Sequence, residues 1–431
     1  MICENLQIRD GNLYFGGHNT VELAKKYGTP LYVMDAVTIR KNCRKYTLPL
    51  KKYFGENSYP LYASKACCFK EMYRIIEKEN MGADCVSCGE IMTAKAAGFD
   101  MSKVHFHSNS KNDFDIAFAI DNGVGYFVCD NIEEITALDR IAGEKNVKQK
   151  IMLRITPGID THTYVAIRTG NVDSKFGFPI ETGAAFDGTA LALNSKNLEL
   201  TGFQCHVGSQ LFESDVFIRS VDIMIEFIAF IKEKLGFEAR ELDLGGGYGV
   251  RYHENDPVFS IEENIAAVAE HFHKKCRSMS VNPPAVLMEP GRSIVADAGI
   301  TLYTVGNVKR IVGYKNYVAV DGGMGDNPRN ALYGSTYSCI VANKADENCD
   351  FVCDLVGRFC ESGDIVTPNT ELTPSVCRGD VVAVLTTGAY NFSMASNYNR
   401  IPRPAVLMLD GDREFVAVKA EKIQDMYRLD E

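Results

Sequence analysis

Four short motifs carry side chains whose types could act together: Tyr62-Ala63-Ser64-Lys65-Ala66, His206-Val207-Gly208-Ser209-Gln210, Leu244-Gly245-Gly246-Gly247 and Glu289-Pro290-Gly291-Arg292. A lysine amine forms a Schiff base with an aldehyde cofactor. Three successive glycines let backbone N–H groups approach a phosphate closely. A histidine ring stacks on a flat heterocycle. A glutamate keeps a pyridine nitrogen protonated, which makes the ring an electron sink. Together these parts describe pyridoxal 5'-phosphate. Each motif alone has an ordinary explanation. Lys65 could be a solvated surface charge and His206 a satisfied core residue. The glycine run could be a tight turn, and Glu289 to Arg292 a type II turn with a flanking ion pair.

Placement is the argument for a shared role. Short apolar runs at 60–63, 82–86, 104–107, 126–129, 151–155, 200–206, 241–244 and 286–289 read as strands. Helical patterns follow most of them, at 68–80, 89–97, 112–122, 132–142, 216–235 and 261–277. Eight strand–helix alternations predict an α/β fold with a (β/α)8 TIM barrel, and a doubly wound sheet is the other arrangement this alternation permits. In a TIM barrel, catalytic residues gather at the C-terminal strand ends. Lys65, His206, Gly245 to Gly247 and Glu289 all stand there.

Beyond about residue 296 the pattern changes. Short β-rich segments at 301–305, 317–320, 351–356, 381–385 and 414–419 are separated by turn signals such as Asp321-Gly322-Gly323 and Asp410-Gly411-Asp412. This predicts a second, all-β domain of sandwich or barrel type. The N-terminal piece, with its β-like 31–34, has no place in the barrel and is expected to join it. The expected domains are 36–295 for the cofactor-binding barrel, and 1–35 with 296–431 for the β domain.

Composition limits the partners. The 431 residues carry a formal net charge of −10 and no block of lysine and arginine interleaved with aromatics, which argues against nucleic acid. No run of about 18 uncharged apolar residues exists, so no membrane span is expected. The start, MICENLQIRDGN, lacks an apolar signal-peptide core. The fourteen cysteines are scattered, and reduced thiols in the cytoplasm are expected. Cys85-x-x-Cys88 has metal-like spacing without a second pair, and no metal is expected.

With these motifs in view, the chain resembles the barrel-type (fold type III) pyridoxal-phosphate-dependent decarboxylases over nearly its full length, in particular the diaminopimelate decarboxylase branch. The C-terminal matches are Asp326-Asn327-Pro328-Arg329, Ala331-Leu332-Tyr333, Cys360-Glu361-Ser362-Gly363-Asp364 and Gly388-Ala389-Tyr390. The resemblance implies a carboxy-lyase that converts meso-2,6-diaminopimelate to L-lysine and carbon dioxide, the last step of lysine biosynthesis. A related decarboxylase acting on D-ornithine, D-lysine, arginine or a carboxylated polyamine is the alternative. It further implies Lys65 as the Schiff-base lysine and His206 against the ring face. Ser209, Gly245, Gly246, Gly247, Gly291, Arg292 and Tyr390 are implied around the cofactor, with Glu289 on its pyridine nitrogen. Arg292, Arg329, Tyr333, Glu361 and Tyr390 are implied for substrate. A homodimer with shared active sites is implied, with Cys360 of the partner subunit as proton donor and Glu361 of the partner subunit beside it.

Two observations bear on this resemblance. Asn330 stands where the family usually has a second proline, and the segment 165–178 keeps Ser174-Lys175-Phe176-Gly177. The substrate inference also has a physical side. A guanidinium fork binds a carboxylate bidentately, so two arginines and an acid suit a substrate with a second ammonium and a second carboxylate. Racemases of similar layout place arginine at the pyridine nitrogen, and Glu289 favours decarboxylation.

Overall fold

Eight parallel strands close on themselves in the computed structural model, which describes residues 2–158 and 174–431. In chain order they are Tyr59–Ala63, Gly82–Cys85, Val104–Phe106, Tyr126–Cys129, Gln149–Thr156, Leu198–Cys205, Glu241–Asp243 and Ala285–Met288. Each pairs in parallel with the next, and the eighth pairs with the first through Leu287–Tyr59 and Met288–Pro60. The fold is a TIM barrel with separate β-rich sheets. Residues 165–173 of the segment matched above lie outside the described residues.

The barrel strands are short and buried on both faces, as a parallel sheet covered by helices requires. Leu61, Tyr126, Val128, Met152 and Leu287 form a cluster among them. Local signals start the outer helices. Ser87, Asn112 and Asn131 each cap a helix by accepting a backbone N–H in its first turn.

One polar contact ties this shell together. Lys111 Nζ is enclosed and donates to Glu134 Oε1 at 2.7 Å, Val128 O at 2.9 Å and Ser108 O at 3.0 Å. Removing one partner of a buried pair leaves the other charge uncompensated. Lys111→Met is expected to destabilise the barrel by about 3–5 kcal/mol. A fall in the denaturant midpoint measures this, and adding Glu134→Gln is expected to restore part of it.

The chain divides into two compact units: Asn42–Gly249 with Val258–Gly291, and Met1–Lys41 with Val250–Pro257 and Arg292–Glu431. The second unit is built on one long strand, Gly299–Arg310. Its first half pairs with Leu31–Asp35 and with Val381–Val384, and its second half with Asn316–Val320. A register shift between Val305 and Asn307 lets one strand serve both sheets. Ala405–Asp410 adds in parallel to Leu31–Asp35, so the N-terminal strand lies between two C-terminal ones. Two apolar clusters fill this unit, one around Leu31, Leu302 and Leu407, the other around Tyr303, Val318 and Leu355.

Candidate active site

At the C-terminal strand ends of the barrel, the loops are tied to one another by their backbones. Lys65 lies in a single 3-10 turn, Ser64–Ala66, directly after the first strand. Ala63 N donates to Pro290 O at 3.1 Å, Glu289 N to Gly245 O at 2.9 Å, and Leu211 N to Gly247 O at 2.9 Å. The loops after strands one, six, seven and eight are therefore coupled.

The glycine run has a structural reason to be glycine. A Cβ on Gly246 would lie 2.1 Å from the carbonyl of Glu289, and one on Gly245 2.4 Å from that of Cys205. Gly245 and Gly247 also hold φ of +68° and +125°, which L-residues rarely adopt. Two N–H groups of the triplet are already engaged: Gly245 N donates to Asp243 Oδ1 at 2.8 Å, and Gly246 N to His206 Nδ1 at 3.3 Å. Gly247 N is left as the triplet's donor to an incoming anion among the described residues.

Glu289 is the centre of a buried polar cluster that the sequence motifs did not include. Gln204 Nε2 donates to Glu289 Oε2 at 3.0 Å. His107 Nε2 lies 2.9 Å from Glu289 Oε1 and 3.9 Å from Asp84 Oδ1. The His107 ring is turned off the line of a good hydrogen bond, so Oε1 keeps no aligned donor among the described residues. Asp243, Glu289, His107 and Asp84 are all buried.

Burial and mutual repulsion divide the charge among these acids. Burial would raise Glu289, yet the facing His107, with Lys65 beyond it, outweighs this and holds the carboxyl well below the usual range. Asp243 moves the opposite way, pushed well up by burial and then by the charge on Glu289. Asp84 is also raised by burial, with His107 opposing. Glu289 is therefore the acid of this cluster held most firmly in its charged form. His206 is pushed down to about 3, by burial first and then by Lys65, so its ring is neutral near pH 7. A neutral ring with its Nδ1 held by Gly246 presents a fixed apolar face.

This set of residues fits a pyridine aldehyde with a phosphate arm. It offers an accessible amine at Lys65, a neutral ring at His206, and a buried carboxylate with one oxygen lacking an aligned donor. Lys65, His206, Ser209, Gly245 to Gly247, Glu289 and Gly291 all lie within the barrel unit, and backbone bonds link the loops that carry Lys65, the glycine run and Glu289.

The remaining residues named from the sequence lie in the β unit. Arg292 and Arg329 are buried, and both donate to the hydroxyl of Tyr252, at 2.8 and 2.7 Å. Arg329 also donates to Ser335 Oγ at 3.2 Å. Tyr390 flanks both, its ring centroid 4.8 Å from Arg292 Cζ and 5.9 Å from Arg329 Cζ. Tyr390 holds φ of +59°, a strained setting for an aromatic residue. Tyr333, Cys360 and Glu361 are exposed on the single chain, and Tyr333 closes the short helix Arg329–Tyr333 that Arg329 begins.

Sequence reasoning missed Asp84, His107, Gln204, Asp243 and Tyr252. The first four sit at or beside the ends of barrel strands, so polar residues there were the available signal. Tyr252 had none, because its role depends on contacts with residues distant in sequence.

The comparisons agree with this geometry. Residues 37–296 match the family described as pyridoxal-dependent decarboxylase, pyridoxal binding domain. The diaminopimelate decarboxylase of Bacillus methanolicus is 41% identical over 96% of this chain and 95% of its own length. That of Bacillus subtilis (strain 168) is 40% identical over 98% and 96%. The crystal structure of the diaminopimelate decarboxylase of M. jannaschii in co-complex with L-lysine is 31% identical. It superposes with a TM-score of 0.93, covering 100% of this chain and 98% of that one. With a family match over more than half of its length and full-length relatives of this kind, the chain belongs to the pyridoxal-dependent decarboxylases, in the diaminopimelate decarboxylase family.

Proposed function

We propose that the chain decarboxylates meso-2,6-diaminopimelate to L-lysine, the last step of lysine biosynthesis. The observation that carries the substrate is Arg329. Its guanidinium is buried and held only by neutral hydroxyls, with no carboxylate partner among the described residues. A buried cation without a counter-ion is costly, and a carboxylate at the far end of a substrate supplies one. Lysine and ornithine, as substrates, lack that second carboxylate. The L-lysine held in the M. jannaschii structure is the product this reaction releases.

The roles of the residues follow from their chemistry. When bound, pyridoxal phosphate supplies an electron sink for the bond that loses carbon dioxide. Lys65 would supply the amine that anchors it. His206 would offer its neutral ring to the cofactor, and Glu289 would supply the carboxylate that keeps its pyridine protonated. Ser209, the Gly245–Gly247 run, Gly291, Arg292 and Tyr390 orient the cofactor. Arg292, Arg329, Tyr333 and Tyr390 orient the substrate, together with Glu361 of the partner subunit. Cys360 of the partner subunit delivers the proton that replaces the lost carboxylate. The exposure of Cys360 and Glu361 on the single chain supports a homodimer with shared sites.

The division into a cofactor domain over 36–295 and a β domain over 1–35 with 296–431 is supported by the pairing of Leu31–Asp35 with two C-terminal strands, while residues 36–41, 250–257 and 292–295 group with the β unit. All fourteen cysteines are free thiols, which supports a cytoplasmic enzyme. No helix of the described residues is long and apolar enough to cross a membrane.

The test is direct. Purified holoenzyme is incubated separately with meso-diaminopimelate, D-lysine and D-ornithine, and amine product and carbon dioxide are quantified. Equimolar lysine and carbon dioxide are expected from the first, with little turnover of the others. Absence of lysine from the first, or faster turnover of D-ornithine, sinks the substrate assignment.

A further inference from the structure

Tyr252 is unusual in what it holds. Its hydroxyl oxygen accepts from Arg292 Nη1 at 2.8 Å and from Arg329 Nη1 at 2.7 Å. Two buried guanidinium groups are thus gathered on one neutral oxygen. Like charges in a poorly solvated place repel strongly, so the pair needs a reason to stay together. Burial pushes the Tyr252 phenol up, and the charges of Arg292 and then Arg329 more than offset this. The neutral oxygen therefore serves as the shared acceptor of both guanidinium groups.

The tyrosine is itself fixed from several sides. Its ring packs on Tyr337, edge to face, with centroids 5.6 Å apart. Ser338 Oγ donates to its carbonyl at 2.9 Å. Asp256 Oδ2 accepts from the N–H groups of Tyr252 and His253, at 2.7 and 2.9 Å, which closes the loop on itself. The segment Val250–Pro257 follows the glycine run in sequence yet belongs to the compact unit that holds both arginines. Its attachment there places the tyrosine oxygen between the two cations.

We propose that Tyr252 is a positioning residue that sets the spacing of Arg292 and Arg329, and so determines preference for a substrate bearing a second carboxylate. This rests on the reading that these arginines take the distal end of diaminopimelate. A carboxylate spans two donors only if their separation is held beforehand. Without the hydroxyl, the two cations relax apart, and one of them meets the ligand at a time. Substrates without a distal carboxylate gain nothing from the arrangement.

Tyr252→Phe keeps the ring packing and removes only the acceptor. In the holoenzyme, KM for meso-diaminopimelate is expected to rise about tenfold or more, with kcat changed less than about threefold. Inhibition by pimelate, a dicarboxylate of the same chain length, is expected to weaken by a similar factor. Inhibition by D-lysine should stay within about twofold. Tyr252→His, which restores an acceptor nitrogen on a ring, is expected to recover part of the KM. If Tyr252→Phe does not purify with cofactor, Tyr252→Leu is read in its place: KM and pimelate inhibition equal to wild type in it, or equal weakening toward D-lysine and pimelate, would then overturn the proposal. Unchanged KM in Tyr252→Phe, a loss in kcat alone, or equal weakening toward D-lysine and pimelate overturns it as well. Arg329→Gln separates this from the underlying reading. If Arg329→Gln raises KM and Tyr252→Phe does not, the positioning role fails and the substrate reading stands. If Arg329→Gln leaves KM unchanged, the substrate reading itself fails.

Discussion

Lys65→Ala is expected to abolish covalent capture of pyridoxal phosphate and to lower kcat by about 10,000-fold or more. The case rests on position as much as on residue type. Lys65 leaves the first barrel strand in a turn fixed by Cys67 N donating to Ser64 O at 3.1 Å and by Tyr62 OH donating to Cys67 O at 2.8 Å. Ser64 is buried and receives a hydrogen bond from Tyr73 OH at 2.9 Å. The backbone is therefore rigid while the Lys65 side chain itself is exposed and its amine can reach a ligand. Its charge is felt by Asp84, His206 and Glu289, so it acts electrostatically on the same cluster. Lys65→Arg is the informative control. It keeps the positive charge and lacks a nucleophilic primary amine, so it is expected to fail as fully as alanine. The visible absorbance of the protonated Schiff base after gel filtration reads the first effect, and turnover of diaminopimelate the second. Small exogenous amines should restore part of the activity of Lys65→Ala, because only the amine is missing. Retention of the visible band and of activity in Lys65→Arg would assign Lys65 a purely electrostatic role.

The barrel was legible because its buried parallel strands are short apolar runs set between helices. All eight runs are strands, and no end differs from the expected one by more than two residues. The sixth ends at Cys205, so His206 begins the loop, and the fifth starts at Gln149, a polar residue no apolar pattern would include. Helices Ala36–Phe54 and Ala184–Asn194 were not expected: the first contains Pro49, and the second carries Gly188 and two threonine or asparagine positions that weaken a helical reading. In the β unit, Ile365–Leu372 escaped because its Pro368 and Asn369 read as a turn. The site divides in the same way. Residues within contiguous motifs were readable. Asp84, His107 and Gln204 were not, because each stands in an apolar strand or beside one and gains meaning only when the barrel closes. The alternation Val104-His105-Phe106-His107 was the one local hint, and it separates the two histidines from their apolar neighbours. Of these, His105 stacks on Tyr126 with centroids 4.3 Å apart, while His107 reaches Glu289.

Glu289→Gln is expected to lower kcat by about 100- to 10,000-fold while KM for diaminopimelate changes little. Glutamine has the same shape and preserves most of the packing, so the variant removes charge and little else. In the wild type, the surrounding groups hold Glu289 more firmly in its charged form than they hold its acidic neighbours. Gln204 donates to one oxygen, His107 faces the other, and burial pushes Asp84 and Asp243 toward their neutral forms. A carboxylate held below its ordinary range stays ionised above that depressed pKa. Its effect is therefore present throughout the neutral range and lost only in strong acid. The kcat of the wild type should then show no titration from Glu289 between about pH 5 and 9. A neutral amide in place of Glu289 would not keep a bound pyridine protonated, and the electron sink that pyridoxal phosphate would supply would be weakened. Glu289→Asp, which keeps the charge on a shorter arm, should fall between the two. His107→Asn provides the internal check: it leaves Glu289 in place but removes the group that most lowers its pKa. An acid limb in kcat is expected to move up toward neutrality in that variant. A pH profile identical to wild type would mean that His107 contributes packing rather than charge to the cluster.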